Sequence, residues 1–321
     1  MTTQMIHFSK GHGTENDFIL LPDFDANLDL DSALVRVLCD RRAGIGADGI
    51  IRIARTQALI DHGVVTDGMV ATLWEDIHDR GYPESGLPEW FMDYRNADGS
   101  IAEMCGNGSR VFGHYLYAHD LLDDQLSFVI GTRAGVKRMT VKNPETADGA
   151  SARIAVGMGR VGIIGQSVVA FDHERFAGIG VDVGNPHLAC VIPDLDDSTL
   201  RRLPVQVKPV LDEEFFPYGA NVEIVTPVRA DSTQGGDGSI SMRVHERGSG
   251  ETRSCGTGTV AAAVAALADR GKTNGTLRVR VPGGDITVTI KDEYATLEGP
   301  SVIIASGKVN MDELRSSAAL S

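Results

Sequence analysis

At 321 residues the chain exceeds what one ordinary hydrophobic core organises, and it suits two domains. Its 42% hydrophobic and 23% charged residues are typical of a soluble globular protein, and no apolar run approaches the ~20 residues of a membrane span. A net charge of −14 excludes nucleic-acid and anionic-membrane partners, which need basic patches, and leaves any anionic ligand to helix N-termini or a single arginine.

The N-terminus lacks the basic-then-apolar layout of a signal peptide, which predicts a cytoplasmic protein. Met5 to Ser9 and Phe18 to Leu21 read as strands separated by a polar, Gly-rich loop from Lys10 to Asp17. Asp31 and Ser32 cap a helix running to about Arg41. Gly44-Ile45-Gly46-Ala47-Asp48-Gly49 turns into a strand at Ile50 to Ala54, and its lone Gly-x-Gly carries no further phosphate signature. Thr56 to Glu89 reads as an elaborated surface loop or hairpin, with Asp67 to His78 undecided between strand and helix. Trp90 to Arg95 resumes as a strand and turns at Asn96-Ala97-Asp98-Gly99. Glu103-Met104-Cys105-Gly106-Asn107-Gly108 then opens an apolar helix, Val111 to His119.

Strands follow at Leu126 to Ile130, Val136 to Val141, Arg153 to Val156, Val168 to Phe171, Val181 to Val183 and Leu188 to Ile192. A helix near Ser198 to Leu203 leads to a strand at Asn221-Val222-Glu223-Ile224-Val225. Thr233 to Gly238 reads as a Gly-rich hairpin tip. The strand Met242 to His245 ends in Glu246-Arg247, and after a Gly-rich turn Cys255-Gly256-Thr257-Gly258-Thr259 opens an Ala/Val/Leu helix. Leu277 to Val281 and Ile286 to Ile290 flank a hairpin turn, Pro282 to Asp285, and Gly299-Pro300 introduces a last strand, Val302 to Ser306. The final ten residues read as a frayed tail.

Four cysteines, Cys39, Cys105, Cys190 and Cys255, have no Cys-x-x-Cys pairing and fit neither a zinc site nor a disulfide framework. All four are expected to be free thiols, and Cys39 and Cys190, in apolar runs, structural ones. A single cysteine at a helix start is more often a small core residue. Here the device occurs twice: strand, turn, Cys-Gly-x-Gly and helix, with the thiols 150 positions apart. Each is preceded by an Asn in a Gly-bearing loop, Asn16 before Cys105 and Asn185 before Cys255. Matching features in matching order mark an internal duplication.

Two such halves facing across a pseudo-two-fold axis would bring both thiols to one cleft. A helix N-terminus lowers a thiol pKa toward the reactive range and offers N–H groups to a carboxylate. With one thiolate and one thiol on opposite faces of an amino-acid α-carbon, a proton leaves on one side and returns on the other. The helix ends would stabilise the charge gained by the carboxylate as that carbon becomes planar.

The pair Met104-Cys105-Gly106-Asn107-Gly108 and Ser254-Cys255-Gly256-Thr257-Gly258 resembles the diaminopimelate epimerase family. So do Asn16-Asp17-Phe18, Asn96-Ala97-Asp98-Gly99, Gly184-Asn185-Pro186-His187, Asn221-Val222 and Glu246-Arg247-Gly248, in the family's order from about residue 6 to about 308. The resemblance implies an α/β (α+β) protein of two pseudo-symmetric domains of the same fold. Each would be a barrel-like, mostly antiparallel sheet around a central helix, with the active site in the cleft between them. It implies residues 1–154 plus 299–312 for the domain of Cys105, and 155–298 for the domain of Cys255.

By position the resemblance makes Cys105 and Cys255 the acid/base pair, with His187 and Glu246 tuning them. Asn16, Asn96, Asn185, Asn221, Glu246 and Arg247 match substrate contacts, and the backbones of Gly106-Asn107 and Gly256-Thr257 match two carboxylate cradles. The reaction implied is interconversion of LL- and meso-2,6-diaminopimelate for lysine and peptidoglycan-precursor synthesis, with no cofactor and no metal, by a homodimer. Two departures stand out: Gly49 occupies a turn position where many members carry Gln, and the insertion from Thr56 to Glu89 is long. The alternatives are a proline or hydroxyproline racemase, a same-fold isomerase lacking the thiols, and a non-enzymatic thiol redox sensor. Proline-type racemases carry His where this chain has Asn107 and lack the Glu246-Arg247 pair. A sensor would leave Asn107 and Arg247 without a purpose.

Overall fold

The structure, a computed structural model, describes residues 5–80, 82, 86–231 and 236–318. The chain divides into two compact units: one runs to Ile154 and resumes at Ser301, the other is Ala155–Pro300. Both are mixed α/β.

In the first unit, β1 (Met5–Gly13) and β2 (Asn16–Pro22) form a hairpin. The expected loop is therefore a tight turn, whose two residues, Thr14 and Glu15, both take positive φ of 52° and 62°. Two left-handed residues match the twist of a hairpin, but Thr-Glu carries none of the Asn-Gly chemistry that announces such a turn. The short turn fixes Asn16 at the first position of β2. Helix α1 (Ser32–Cys39) is capped by Asp31, whose carboxylate accepts from Leu34 N. β3 (Gly49–Arg55) runs parallel to β2.

The insertion is helical: α2 (Thr56–Asp61) and α3 (Asp67–Asp79), the latter capped by Thr66. Its residues 81 and 83–85 lie outside the described set. Leu59, Leu73 and Ile77 of these helices are buried in one cluster with Ala54, Phe91, Val129 and Val136. The weak period of Asp67 to His78 suits a helix that covers only one sheet face.

β4 (Trp90–Asn96) pairs antiparallel with β3, so Gly49 stands opposite Asn96. Strand alternation sends Met92, Tyr94 and Asn96 to one face and Phe91, Asp93 and Arg95 to the other. Asp93 is wholly buried among arginines: Arg52 at 2.6 Å, Arg133 at 2.6 Å and Arg95 at 3.2 Å. Helix α4 (Gly106–Ala118) follows, with β5 (Ser127–Thr132), parallel to β4, and β6 (Gly135–Lys142), antiparallel to β5. Every α4 residue from Gly106 to Leu116 is buried, because β1, β2, β3, β4 and β6 all pack on it.

β7 (Ser151–Arg160) leads into the second unit, where β8 (Gly162–Phe171), β9 (Glu174–Asp182) and β10 (Pro186–Val191) form an antiparallel meander. After α5 (Asp197–Leu200), β11 (Val210–Leu211) pairs with β8. β12 (Asn221–Val225) is parallel to β10, and β13 (Gly238–Glu246) is antiparallel to β12. Of the expected Gly-rich tip, residues 233–235 lie outside the described set, and Gly238 opens β13. β14 (Gly250–Thr252) folds back on β13 before helix α6 (Gly256–Asp269). β15 (Gly275–Val281), parallel to β13, turns into β16 (Gly284–Lys291).

The sequence of pairings repeats. Antiparallel β1–β2, parallel β2–β3, antiparallel β3–β4, parallel β4–β5 and antiparallel β5–β6 match β9–β10, β10–β12, β12–β13, β13–β15 and β15–β16 in order. In both, the central helix lies between the fourth and fifth members. Antiparallel pairings predominate among the described residues, as expected, and the parallel ones are β2–β3, β4–β5, β10–β12 and β13–β15.

β17 (Tyr294–Asn310) is one continuous strand, longer at both ends than the Val302 to Ser306 expected. Its first part pairs with β16, and its second with β1 from His12↔Val302 to Met5↔Asn310. The tail is not frayed over 311–318: α7 (Met311–Ala318) buries Met311 and Leu314 in a cluster with Leu34, Val35 and Leu38 of α1. A two-turn helix with a single apolar edge leaves too little pattern to read alone.

Candidate active site

The two thiols occupy equivalent positions, one in each unit. Cys105 is the N-cap of α4 and accepts from Gly108 N at 3.5 Å; Cys255 is the N-cap of α6 and accepts from Gly258 N at 3.4 Å. A side chain replaces a missing intrahelical partner at each helix start, so each sulfur is anchored beside the first N–H groups of its helix. These belong to Gly106-Asn107 and Gly256-Thr257, the residues expected to cradle carboxylates. All four cysteines are free. Burial pushes the Cys39 and Cys190 thiols each up to about 12, in keeping with structural roles.

Around Cys105 the expected polar residues converge. The Cys105 thiol lies 3.6 Å from Asn16 Oδ1, which also accepts from Asn107 Nδ2 at 3.2 Å. Asn16 Nδ2 donates to Asp48 at 2.8 Å. Asp48 is held by Arg41 at 2.7 Å, and Arg41 grips Asp17 through both terminal nitrogens at 2.8 and 3.0 Å. Burial would raise the Asp17 carboxyl, but hydrogen bonds from Arg41 and Lys10 outweigh it and hold it at about 2. The network therefore stays ionised and fixes the amide of Asn16.

Arg110, wholly buried one turn into α4, donates to Thr14 Oγ1 at 3.0 Å and Gly106 O at 3.4 Å. Burial lowers it to about 10, against the pull of charge on Cys105, so it remains a cation beside that thiol at neutral pH.

Asn96 is turned by a residue that local reading overlooked. Tyr94 hydroxyl donates to Asn96 Oδ1 at 2.8 Å, and Asn96 Nδ2 donates to Ser100 Oγ at 3.0 Å. The Tyr94 ring, edge-on to Phe18, fills the space beside Gly49: a β-carbon there would meet Tyr94 Cε2 at 2.6 Å and Arg95 O at 2.5 Å. Gly49 is therefore no gap in the site. No local signal links the two residues, which meet only through the β3–β4 register.

Around Cys255 the electrostatics differ. His187, fully buried, has Nδ1 2.7 Å from Glu223 Oε1 and Nε2 3.1 Å from Asn185 Oδ1. Asn221 stands opposite Glu246, since Val222 pairs with His245. Asn221 Oδ1 accepts from Arg247 N at 2.8 Å, and Arg247 Nη1 donates to Tyr218 O at 2.9 Å. Thr252 donates to Glu246, and Thr257 Oγ1 lies 3.6 Å from Cys255 Sγ. Burial, then the charges of Glu246 and Glu223, push the Cys255 thiol well above its ordinary value, over the opposing bonds from Thr257 and Gly258. The lowered pKa expected from the helix end is thus reversed here, because a few partial charges do not offset full desolvation beside two carboxylates.

Sequence reasoning missed Glu223 as well. Its one signal was a charged residue amid Val222, Ile224 and Val225, a run buried on both faces.

The sites correspond element by element: Asn16 and Asn185 at the second strand, Gly49 and Asn221 at the third, Asn96 and Glu246 ending the fourth, and the cysteines capping the helix. Asn16 and Asn107 gather at Cys105, and Glu223, Glu246 and Thr257 at Cys255, while Asn96 bonds to Tyr94 and Ser100, Asn221 to Arg247, and Arg247 to Tyr218.

A family model described as diaminopimelate epimerase matches residues 8–164 and 179–311. A protein of that name from Rhodococcus jostii is 52% identical over 303 residues, covering 94% of this chain and 96% of its own. Another, from Corynebacterium glutamicum, is 51% identical over 306 residues, covering 95% and 99%. Among solved structures, a Bacillus anthracis protein of the PhzF phenazine-biosynthesis family superposes with TM-score 0.63 at 14% identity, covering 95% of this chain and 99% of that one. A hydroxyproline epimerase from Agrobacterium vitis, with trans-4-hydroxy-L-proline bound, gives 0.60 at 13%, covering 96% and 93%. At such identities these structures speak to the fold alone.

Proposed function

The chain belongs to the diaminopimelate epimerase family, and from that premise we propose that it interconverts LL- and meso-2,6-diaminopimelate through two cysteines and without a cofactor. The observation that carries this reading is the pair of thiols, each capping the central helix of its unit, in a chain about half identical to epimerases along nearly its whole length. The product serves lysine and peptidoglycan-precursor synthesis. A cytoplasmic homodimer is part of the same reading. Among the described residues, no helix is long and apolar enough to cross a membrane.

In this mechanism Cys105, as thiolate, takes the α-proton of the LL isomer, and Cys255, as thiol, delivers one to the opposite face. The environments support that division: a buried guanidinium accompanies Cys105, whereas two carboxylates accompany Cys255. The helix-start N–H groups of Gly106-Asn107 and Gly256-Thr257 receive the α-carboxylate and the charge that grows on it. His187 and Glu246 tune the thiols. Asn16, Asn96, Asn185, Asn221, Glu246 and Arg247 bind the substrate, and the Arg247 guanidinium suits the distal carboxylate.

The test is incubation of the protein with LL-diaminopimelate in deuterated water, with no cofactor added. Inversion should accompany incorporation of one α-deuterium. Turnover of proline but not of diaminopimelate would overturn the substrate, and a requirement for pyridoxal phosphate would overturn the mechanism.

Tyr94→Phe should raise KM for diaminopimelate about five-fold, with kcat within two-fold, because one orienting hydrogen bond to Asn96 is worth about 1 kcal/mol. Steady-state kinetics decides. Unchanged KM would mean that Asn96 keeps its orientation without Tyr94.

A further inference from the structure

Glu223 is wholly buried, yet only part of its carboxylate is used. Oε1 meets His187 Nδ1 at 2.7 Å, while Oε2 has no hydrogen-bond partner among the described residues. Such an orphaned atom costs stability and calls for a purpose. Its surroundings supply one. A β-carbon at Gly258 would lie 2.6 Å from Glu223 Oε1 and 3.3 Å from Cys255 Sγ. The slot left by that glycine is shared by carboxylate and sulfur, within about 6 Å of each other, a range over which a like charge disfavours ionisation.

We propose that Glu223 is a positioning residue for the second thiol: fastened by His187 and reaching the slot at Gly258, its charge holds Cys255 protonated as the acid of the pair. This deepens the reaction proposed above and rests on it. His187 is itself held on both sides, Nδ1 by Glu223 Oε1 and Nε2 by Asn185 Oδ1, so the carboxyl is fixed in place at the helix start. Burial raises the Glu223 carboxyl on balance, with the charge and hydrogen bond of His187 only partly opposing it.

Of the strands against α6, β10 brings His187, β12 brings Glu223 and β13 brings Glu246 to this end. His245 is turned to Val205 O, and Arg243 to Glu251. On β15, Arg278 pairs with Asp231 and Asp285, and Arg280 with Asp285 of β16. Lys291 closes β16 and, like Glu174, Arg175 and Asp182 of β9, is exposed.

The full chain and its Glu223→Gln variant are alkylated with iodoacetamide from pH 6 to 11, and each cysteine is followed by peptide mass spectrometry. In the unaltered protein the Cys255 midpoint should lie above the usual thiol value of about 8.5. In Glu223→Gln it should fall by about one unit or more, making Cys255 about ten-fold more reactive at pH 8, with Cys39 and Cys190 still protected. A role confined to packing would expose Cys190 along with Cys255 and leave the midpoint in place. An unshifted midpoint in a folded variant overturns the proposal. If the variant does not fold, a midpoint at or below the usual value in the unaltered protein overturns it, and one above supports it. Absence of diaminopimelate turnover by the unaltered protein would instead overturn the reaction, a result that these midpoints do not affect.

Discussion

Replacing either Cys105 or Cys255 with alanine should abolish inversion of LL-diaminopimelate, lowering kcat/KM by at least about a thousand-fold. Positioned proton transfer is worth about 10²–10⁴, and each turnover needs one transfer on each face of the carbon. Neither thiol has a substitute capping its helix. Asn16 and Thr257, the hydroxyl and amide groups nearest in hand, do not titrate near neutral pH. The two losses should not add: the double variant should be little worse than either single one, because half of a two-base device already fails to invert. The variants should differ in one respect. With LL substrate in deuterated water, Cys255→Ala retains the base that removes the proton, and recovered LL-diaminopimelate should slowly gain deuterium without inverting. Cys105→Ala should show neither exchange nor inversion. Exchange confined to Cys105→Ala would reverse the assignment of the two faces, and inversion surviving in either variant would end the two-thiol mechanism.

The second large effect is on stability. Asp93→Asn should cost about 3–5 kcal/mol, the usual consequence of removing one partner from a buried ion pair. Asp93 is 0% exposed and receives Arg52 through two nitrogens at 2.6 and 2.8 Å, with Arg133 at 2.6 Å. Removing its charge leaves those guanidinium groups buried against a neutral amide, with Asp23 at 3.5 Å from Arg52 as the remaining carboxylate. Urea titration should show an early transition for the first unit. Glu293→Gln, which breaks an ion pair more than half exposed, should leave the curve unchanged.

Acid should act in the same sense. Burial would raise the Asp93 carboxyl, but the surrounding arginines lower it on balance, and Asp17 is held at about 2. Both have folded values below the unfolded one of about 3.9, so their stabilisation is present above pH 4 and lost as pH falls through the folded values. A first unit equally stable at pH 2.5 and pH 6 would contradict this ionised network. So would an Asp93→Asn curve that overlays the parent's.

Much of this was legible in the chain because it is local. A cysteine followed by Gly-x-Gly and a small-residue helix states its own geometry: the side chain caps, the glycines admit close approach, and the helix is buried on every side. Repetition of that unit 150 positions on disclosed the duplication and paired Cys105 with Cys255. Asn16, Asn96, Asn185, Asn221, Glu246 and Arg247 were named through the resemblance to the epimerase family, since an Asn at a turn or strand end does not by itself tell a binding role from a structural one.

What escaped depends on partners distant in the chain. Thr14-Glu15 turns tightly because β1 and β2 pair, not because its residues favour it. The helices α2, α3 and α7 have apolar edges too narrow to read until the sheet or α1 lies beneath them. Tyr94 enters the site only because the β3–β4 register sets it against a glycine, which turns an apparent deficit at Gly49 into a filled position. Glu223 looked like one polar residue in a strand until the parallel pairing of β10 with β12 brought His187 to it and α6 brought Gly258. The sequence by itself determined which groups are candidates for the chemistry, since that follows from residue type, short spacing and family resemblance. Tertiary structure alone decided their charge states, because burial and a neighbour's carboxylate, not the helix end by itself, determine whether a thiol keeps its proton.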